Sequence, residues 1–197
     1  MSSEPQQIKQ QIQTILASRI RRVVSDPTLT SAAVLVPLLY KGSDWHVLVT
    51  QRTQTVEHHK GQISFPGGAC DPADANLLAT ALRETFEEIG VPPEAVEVLG
   101  VLDDFPTITH FNMTPFIGII PYPFAYRLNG HEVETVIEVP LSFLRDPSHL
   151  RIEQREFEGR IYDVLFWDYS LDLHTTYTIW GATARILKSF LDLIYWG

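Results

Sequence analysis

Residues 61–91 read GQISFPGGACDPADANLLATALRETFEEIGV, a loop rich in Gly and Pro running into a long amphipathic helix. Phe65-Pro66-Gly67-Gly68 carries the punctuation of a loop. The spacing after it predicts a helix from about Asp74 to Ile89, started by Asp71-Pro72 and stopped by Gly90 and Pro92. Stepping about 100° per residue from Glu84 puts Glu88 near 40° and Glu87 near −60°, so the three carboxylates share one face. Leu78, Leu82, Thr85 and Ile89 fall on the other side, where they can pack. Like charges three and four residues apart repel by roughly a few tenths of a kcal/mol each. Two readings of the acidic face are open. It is a solvated face with Arg83 pairing one carboxylate, or it holds a divalent cation, since Mg²⁺ commonly takes one or two carboxylates with waters and substrate phosphates. The adjoining glycines favour the second, because their backbone N–H groups let a phosphate approach without side-chain obstruction.

Working outward, AAVLVPLLY (32–40) reads as a buried strand and HVLVTQRT (46–53) as a second, joined in a hairpin across Lys41-Gly42-Ser43-Asp44. Downstream, strands are expected near Glu97–Leu102, Phe116–Ile120 and Val133–Val139. A helical turn is expected at Leu141–Leu144, a hairpin tip at Glu156–Arg160, a strand at Ile161–Trp167 and a closing helix from about Trp180 to Ile194. Hairpins and crossovers together predict an α+β fold, a central mixed sheet flanked by helices. Upstream, Ile8, Ile12, Ile15, Leu16, Ile20 and Val23 recur at helical spacing. With Lys9, Arg19, Arg21 and Arg22 this segment reads as a helix packed on the domain or as a mitochondrial presequence; Glu4 and the glutamines disfavour the latter. The expected organisation is an N-terminal helix and lead-in over 1–28 and one domain over 29–197.

Composition narrows the function classes. With 197 residues, 45% hydrophobic and 20% charged, the chain has the make-up of a single globular domain rather than a disordered or fibrous one. A net charge of −9 disfavours a nucleic-acid backbone as partner, while a small anionic substrate remains possible through a few cations or a metal. One cysteine, Cys70, excludes an internal disulfide and points to a reducing compartment, with the cytoplasm as the expected location. No stretch approaches the length of a membrane span. A homodimer is compatible with these residues.

Gly68, Asp74 and Arg83-Glu84-Thr85-Phe86-Glu87-Glu88-Ile89-Gly90-Val91 together resemble the signature of the Nudix hydrolases. The spacing from Gly68 to Arg83 is one residue longer than usual in that family, Asp74 stands near where a glutamate is usual, and Thr85 replaces an aliphatic residue. Leu48–Thr53 and Gly61–Gly68 are similar to the motif preceding the signature in the coenzyme A pyrophosphatase group. Thr114-Pro115-Phe116-Ile117-Gly118, Val139-Pro140-Leu141 and 179–187 also look like that group, so the resemblance spans about residues 30–190. Glu57 stands where the group usually carries an arginine, which leaves the substrate choice open; Lys60, His58 or His59 could substitute.

The resemblance implies an α/β/α sandwich and a Mg²⁺- or Mn²⁺-dependent hydrolase of a nucleoside diphosphate derivative, coenzyme A or its thioesters above all. It implies that Glu84, Glu87 and Glu88 hold metal, with Arg83 orienting the glutamates. Arg52, Lys60, Gly61, Gln62, Phe65, Pro66, Gly67 and Gly68 form the substrate-binding set. The base that takes the proton of the attacking water is Glu84 or a glutamate from a distant loop, where Glu132 and Glu134 lie. Of the remaining candidates, Cys70 reads as packing and Asp103-Asp104 as a solvated turn or a pocket wall. Phe111, Tyr122, Phe124 and Tyr126 are anchors or adenine-stacking rings, and Trp180 is a packing residue at a helix start.

Overall fold

The computed structural model describes residues 4–54, 61–157 and 159–195. In chain order these form α1 (Glu4–Ser18), β1 (Thr30–Lys41), β2 (Asp44–Arg52), β3 (Ile63–Ser64), β4 (Gly67–Ala69), α2 (Leu77–Ile89), β5 (Glu97–Val101), β6 (Phe105–Pro106), β7 (Phe111–Ile119), β8 (Val133–Pro140), α3 (Leu141–Arg145), β9 (Leu150–Phe157), β10 (Arg160–Ser170), β11 (Thr176–Trp180) and α4 (Gly181–Tyr195).

Eight strands make a mixed sheet. β1 runs parallel to β7 over residues 30–38, and all other pairings are antiparallel. The end of β1 turns into β2 with Lys41 opposite Asp44, as the hairpin reading requires. The start of β1 is flanked instead by β4, with Ala33 opposite Gly68. The continuous apolar run of β1 is buried on both faces. Val34, Val36 and Leu38 join a core layer with Ile12 of α1 and with Ala184, Leu187 and Phe190 of α4. Leu35 and Leu39 join a smaller layer with Leu48, Ile89 and Val91 beneath α2. Helices on both faces of a mixed sheet make the expected α/β/α arrangement.

Three parts differ from the sequence reading. Helix α1 stops at Ser18 rather than continuing to Val23, and Ile20 and Val23 are exposed. The arginines that follow are drawn off the helix: Arg19 donates to Asp103 at 2.5 Å, Arg21 pairs with Asp104, and the Arg22 N–H donates to Asp103 at 3.0 Å. Helix α2 begins at Leu77, because the Asn76 side chain accepts from the Ala79 N–H at 3.0 Å and caps it. Gly90 ends it at φ 76°. Finally β9, β10 and β11 form a separate antiparallel sheet in the order β11-β10-β9, packed through Leu165, Trp167 and Ile179 onto α4. β9 carries no apolar face: Arg151, Glu153, Arg155 and Glu156 interrupt Ile152, so no strand pattern marks it. No helix among the described residues is long and apolar enough to cross a membrane.

Candidate active site

The end of β2, strand β4 and helix α2 converge. Gly67 has φ 156°, and a Cβ there would lie 2.4 Å from the Ala33 carbonyl oxygen, so only glycine lets β4 reach β1. A Cβ on Gly68 would lie 2.5 Å from the Glu84 carboxylate. The two glycines thus let the strand press against the acidic face of α2. That pressure reassigns the helix faces. Thr80, Ala81, Thr85, Glu88 and Ile89 are buried, so Glu88 belongs to the packed side instead of the solvated one.

The three glutamates are not equivalent. Glu88 is 2% exposed. Its nearest cation is Arg52 at 3.9 Å, and its Oε2 has no hydrogen-bond partner among the described residues. Burial, then the charges of Glu84 and Glu132, push its carboxyl up to about 8 against the pull of Arg52 and the Gly67 N–H. Glu84 is also pushed up by burial, with Arg83 opposing and Glu87 and Glu132 adding to the rise. Glu87 stands apart, with its side chain 52% exposed, and is held by Arg83.

Arg83 is the hub of this surface. Its Nη1 donates to Glu84 Oε1 and to Glu87 Oε2, both at 2.9 Å. Its Nε and Nη2 donate to Asp74 at 2.9 and 3.0 Å, and Nη2 reaches the Ala69 carbonyl at 3.3 Å. Asp74, expected to lead the helix, therefore acts as the counterweight of Arg83, which holds its carboxyl well below the usual range. Asp74 also accepts from the Thr80 hydroxyl at 2.8 Å.

The segment after Tyr122 closes the other side. The Arg127 and Asn129 N–H groups donate to the Ile89 and Glu88 carbonyls at the end of α2, at 3.0 and 2.9 Å. Asn129 Nδ2 then donates to Glu132 Oε1 at 3.2 Å, and the Thr53 N–H to the Glu132 carbonyl at 2.9 Å. Glu132 is thereby held where its charge acts on both Glu84 and Glu88. Glu134 is exposed. This distinction depends on a loop docking at a helix end, which residue spacing does not carry.

The remaining candidates divide. Gln62 accepts from the Arg52 N–H through its carbonyl at 3.0 Å, and Gly61 sits beside it at φ 66°. The side chains of Phe65 and Pro66, both in the expected substrate-binding set, are buried. Phe65 is 3% exposed within the larger core layer, and Pro66 is buried with its carbonyl accepting from the Leu35 N–H at 2.9 Å. Their apolar side chains gain more from the core than from a wet cleft. Glu57, His58, His59 and Lys60 lie outside the described residues. Asp104 is no part of a solvated turn, being 3% exposed and paired with Arg21, while Asp103 is part-exposed and pairs with Arg19. Phe124 and Tyr126 pack beneath α2, Tyr122 lies against Lys41, and Trp180 stacks on Phe166. Cys70 is half-buried, its thiol donating to the Asp71 carbonyl at 3.6 Å.

Among the described residues no three acid, histidine or cysteine side chains already enclose a cation site. The donor set nevertheless fits one. The carboxyl groups of buried Glu88 and part-buried Glu84 are raised chiefly by desolvation, and Glu88 Oε2 has no hydrogen-bond partner among the described residues. Such a pair suits a hard ion that completes its shell with waters and substrate oxygens.

Comparisons with known proteins bear on the family and the fold. A profile of the NUDIX domain matches residues 29–158. The uncharacterized Nudix hydrolase NudL of Enterobacter sp. (strain 638) is 41% identical over 157 residues, covering 80% of this chain and 79% of that one. NudL of Citrobacter koseri is 41% identical over 174 residues, covering 86% of each. Among solved structures, a NUDIX hydrolase from Alicyclobacillus acidocaldarius superposes with a TM-score of 0.50 at 26% identity, covering 61% of this chain and 83% of that one. A MutT/nudix family protein from Enterococcus faecalis shares the fold over 98% of this chain and 75% of its own, with a TM-score of 0.53 at 15% identity.

Proposed function

The chain belongs to the Nudix hydrolase family, enzymes of phosphorus-containing anhydrides, and from that premise we propose that it cleaves the diphosphate bond of coenzyme A or its derivatives. The products are 3′,5′-ADP and a 4′-phosphopantetheine species, with water's oxygen forming the new P–O bond as the bridging bond breaks. We place the enzyme in the cytoplasm on its lone cysteine.

The observation that carries the hydrolytic reading is the buried Glu88 beside the part-buried Glu84 against Gly67-Gly68, with Arg52 beside Glu88 and Glu88 Oε2 left without a hydrogen-bond partner among the described residues. Glu84 and Glu88 would hold Mg²⁺ or Mn²⁺, with Glu87 joining for a further ion, and the metal when bound supplies neutralisation of diphosphate charge and acidification of water. Arg83 fixes the rotamers of Glu84 and Glu87, and Asp74 in turn fixes Arg83. Arg52 offers a part-buried cation to a phosphate oxygen. Glu132, steadied by Asn129, is the base that receives the water proton.

Coenzyme A is favoured because the group-specific segments are joined in space. The Thr183 hydroxyl of α4 donates to the Ile63 carbonyl of β3 at 3.1 Å, tying 179–187 to 61–68. Glu57 favours the second reading, another nucleoside diphosphate derivative such as ADP-ribose or a dinucleotide. The test is incubation with Mg²⁺ or Mn²⁺ and a panel of coenzyme A, acetyl-coenzyme A, ADP-ribose, NADH and diadenosine polyphosphates, products being identified by mass. Cleavage of another diphosphate with coenzyme A untouched would replace the first reading by the second.

A further inference from the structure

We propose that β9 pairs antiparallel with β9 of a second copy of this chain, centred on Gln154, joining the two three-stranded sheets into one. β9 is the edge of the sheet β11-β10-β9, and no described strand lies on its outer side. It spans eight residues, Leu150–Phe157, without proline. Natural edges of that length are normally blunted by proline, bulges or charges, because their free N–H and C=O groups recruit another strand.

The charges on this edge alternate in sign in an order that complements itself. A twofold axis perpendicular to the sheet maps each face onto itself, so paired residues must share a face and the centre must fall on a residue. Centred on Gln154, Glu153 faces the partner's Arg155, Arg151 faces the partner's Phe157, and Ile152 faces the partner's Glu156. Centred on Glu153, Arg151 would face the partner's Arg155 and Glu153 its own copy. Centred on Arg155, arginine would face arginine. Centring on Ile152 restores an Arg–Glu match, but it overlaps only residues 150–154 of the strand. Like charges directly opposite are unfavourable, so the register at Gln154 is selected by both charge and length.

The side chains are available. Arg155 is 64% exposed, and its Nε donates to Glu153 at 3.0 Å within the chain. Glu153 therefore already sits between cations and can share itself with the partner's Arg155. Ile152, Phe157 and Ile161 are exposed around the same edge. Ile161 lies opposite Glu156 on β10, so in this register the Glu156 stem is covered by Ile161 on one side and the partner's Ile152 on the other. Helix α2 packs on β1 and β4, outside the contact.

The test is sedimentation equilibrium and light scattering of the full chain over a concentration series. The wild type is expected to reach twice the 22.4 kDa chain mass. Glu153→Arg and Arg155→Glu, each setting like charges opposite, are expected to be monomeric with unchanged circular dichroism and thermal melting. The double variant Glu153→Arg/Arg155→Glu restores the match and the dimer. A wild type that stays monomeric throughout, or a dimer that survives Glu153→Arg undiminished, overturns the proposal. In a Cys70→Ser background, Gln154→Cys is expected to form a disulfide-linked dimer under mild oxidation. A dimer that does not link through that position overturns the register.

Discussion

Two acids buried in this molecule each face an arginine, and they behave in opposite ways. Asp104 is 3% exposed and Glu88 2%. Around Asp104 every lone pair has a donor: Arg21, the Thr114 hydroxyl at 2.7 Å, the Val24 N–H at 2.9 Å and Asn112 Nδ2 at 3.4 Å. Burial alone would raise its carboxyl, yet Thr114, Val24 and Arg21 together hold it below the ordinary aspartate value. Around Glu88 the arginine stands off at 3.9 Å, Oε2 has no partner among the described residues, and the carboxyl is pushed up to about 8. A saturated acid fastens the chain; an unsaturated one at equal depth is held ready for a ligand. Asp104 anchors the segment that follows α1, and Glu88 belongs to the proposed site.

The sharpest way to break this contrast is to remove each charge in turn. Glu88→Gln is expected to lower metal-dependent kcat/KM by at least about 10³-fold while leaving the melting temperature of the metal-free protein unchanged or higher. Full activity in both Glu84→Gln and Glu88→Gln would remove the metal-binding role. Asp104→Ala should do the reverse, costing about 3 kcal/mol of stability because it strands the part-buried Arg21. Thermal melting would show this as a fall of roughly 6–12 °C, and kcat of the folded fraction should be retained.

Arg52→Gln is expected to reduce kcat/KM by about 10- to 100-fold, since it removes the cation nearest Glu88 among the described residues. The smallest effect is the pH dependence. Glu88 is raised by folding, so its contribution to the metal-free protein is complete below the unfolded carboxyl value and is lost as pH climbs through about 8. Asp104 is lowered, so its contribution is present at neutral pH and lost on acidification. Melting of the metal-free wild type should therefore weaken from about pH 5 to about pH 8 by an amount that Glu88→Gln abolishes. Asp104→Ala should instead remove part of the loss on the acid side. A wild type and Glu88→Gln with parallel profiles would show that Glu88 is not held neutral by burial.

Legibility followed the strength of local pattern. The apolar run of β1, the hairpin to β2 and the stop of α2 at Gly90 were all readable, because strand burial and helix stops are short-range properties. Helix α2 starts three residues beyond Asp74 because Asp71-Pro72 and Asn76 are both good helix openers, and it is the Asn76 side chain that caps the helix while Asp74 is engaged by Arg83. Residues 19–23 keep helical spacing but leave the helix, because acids some eighty positions away, Asp103 and Asp104, capture their arginines. β9 was illegible for the opposite reason, having no buried face to impress on its sequence.

That three carboxylates and an arginine share one stretch of helix beside a glycine loop follows from residue order alone, because a helical period is fixed by the backbone. How deeply each is buried, and which charges approach it, follows from packing. Glycines at 67 and 68 let β4 press on α2, and that contact buries Glu88 and leaves Glu87 in solvent. The docking of 127–129 onto the end of α2 likewise sets Glu132, held by Asn129, where its charge reaches Glu84 and Glu88. Burial and the approach of distant charges set a carboxylate's proton affinity, and both are properties of packing rather than of spacing.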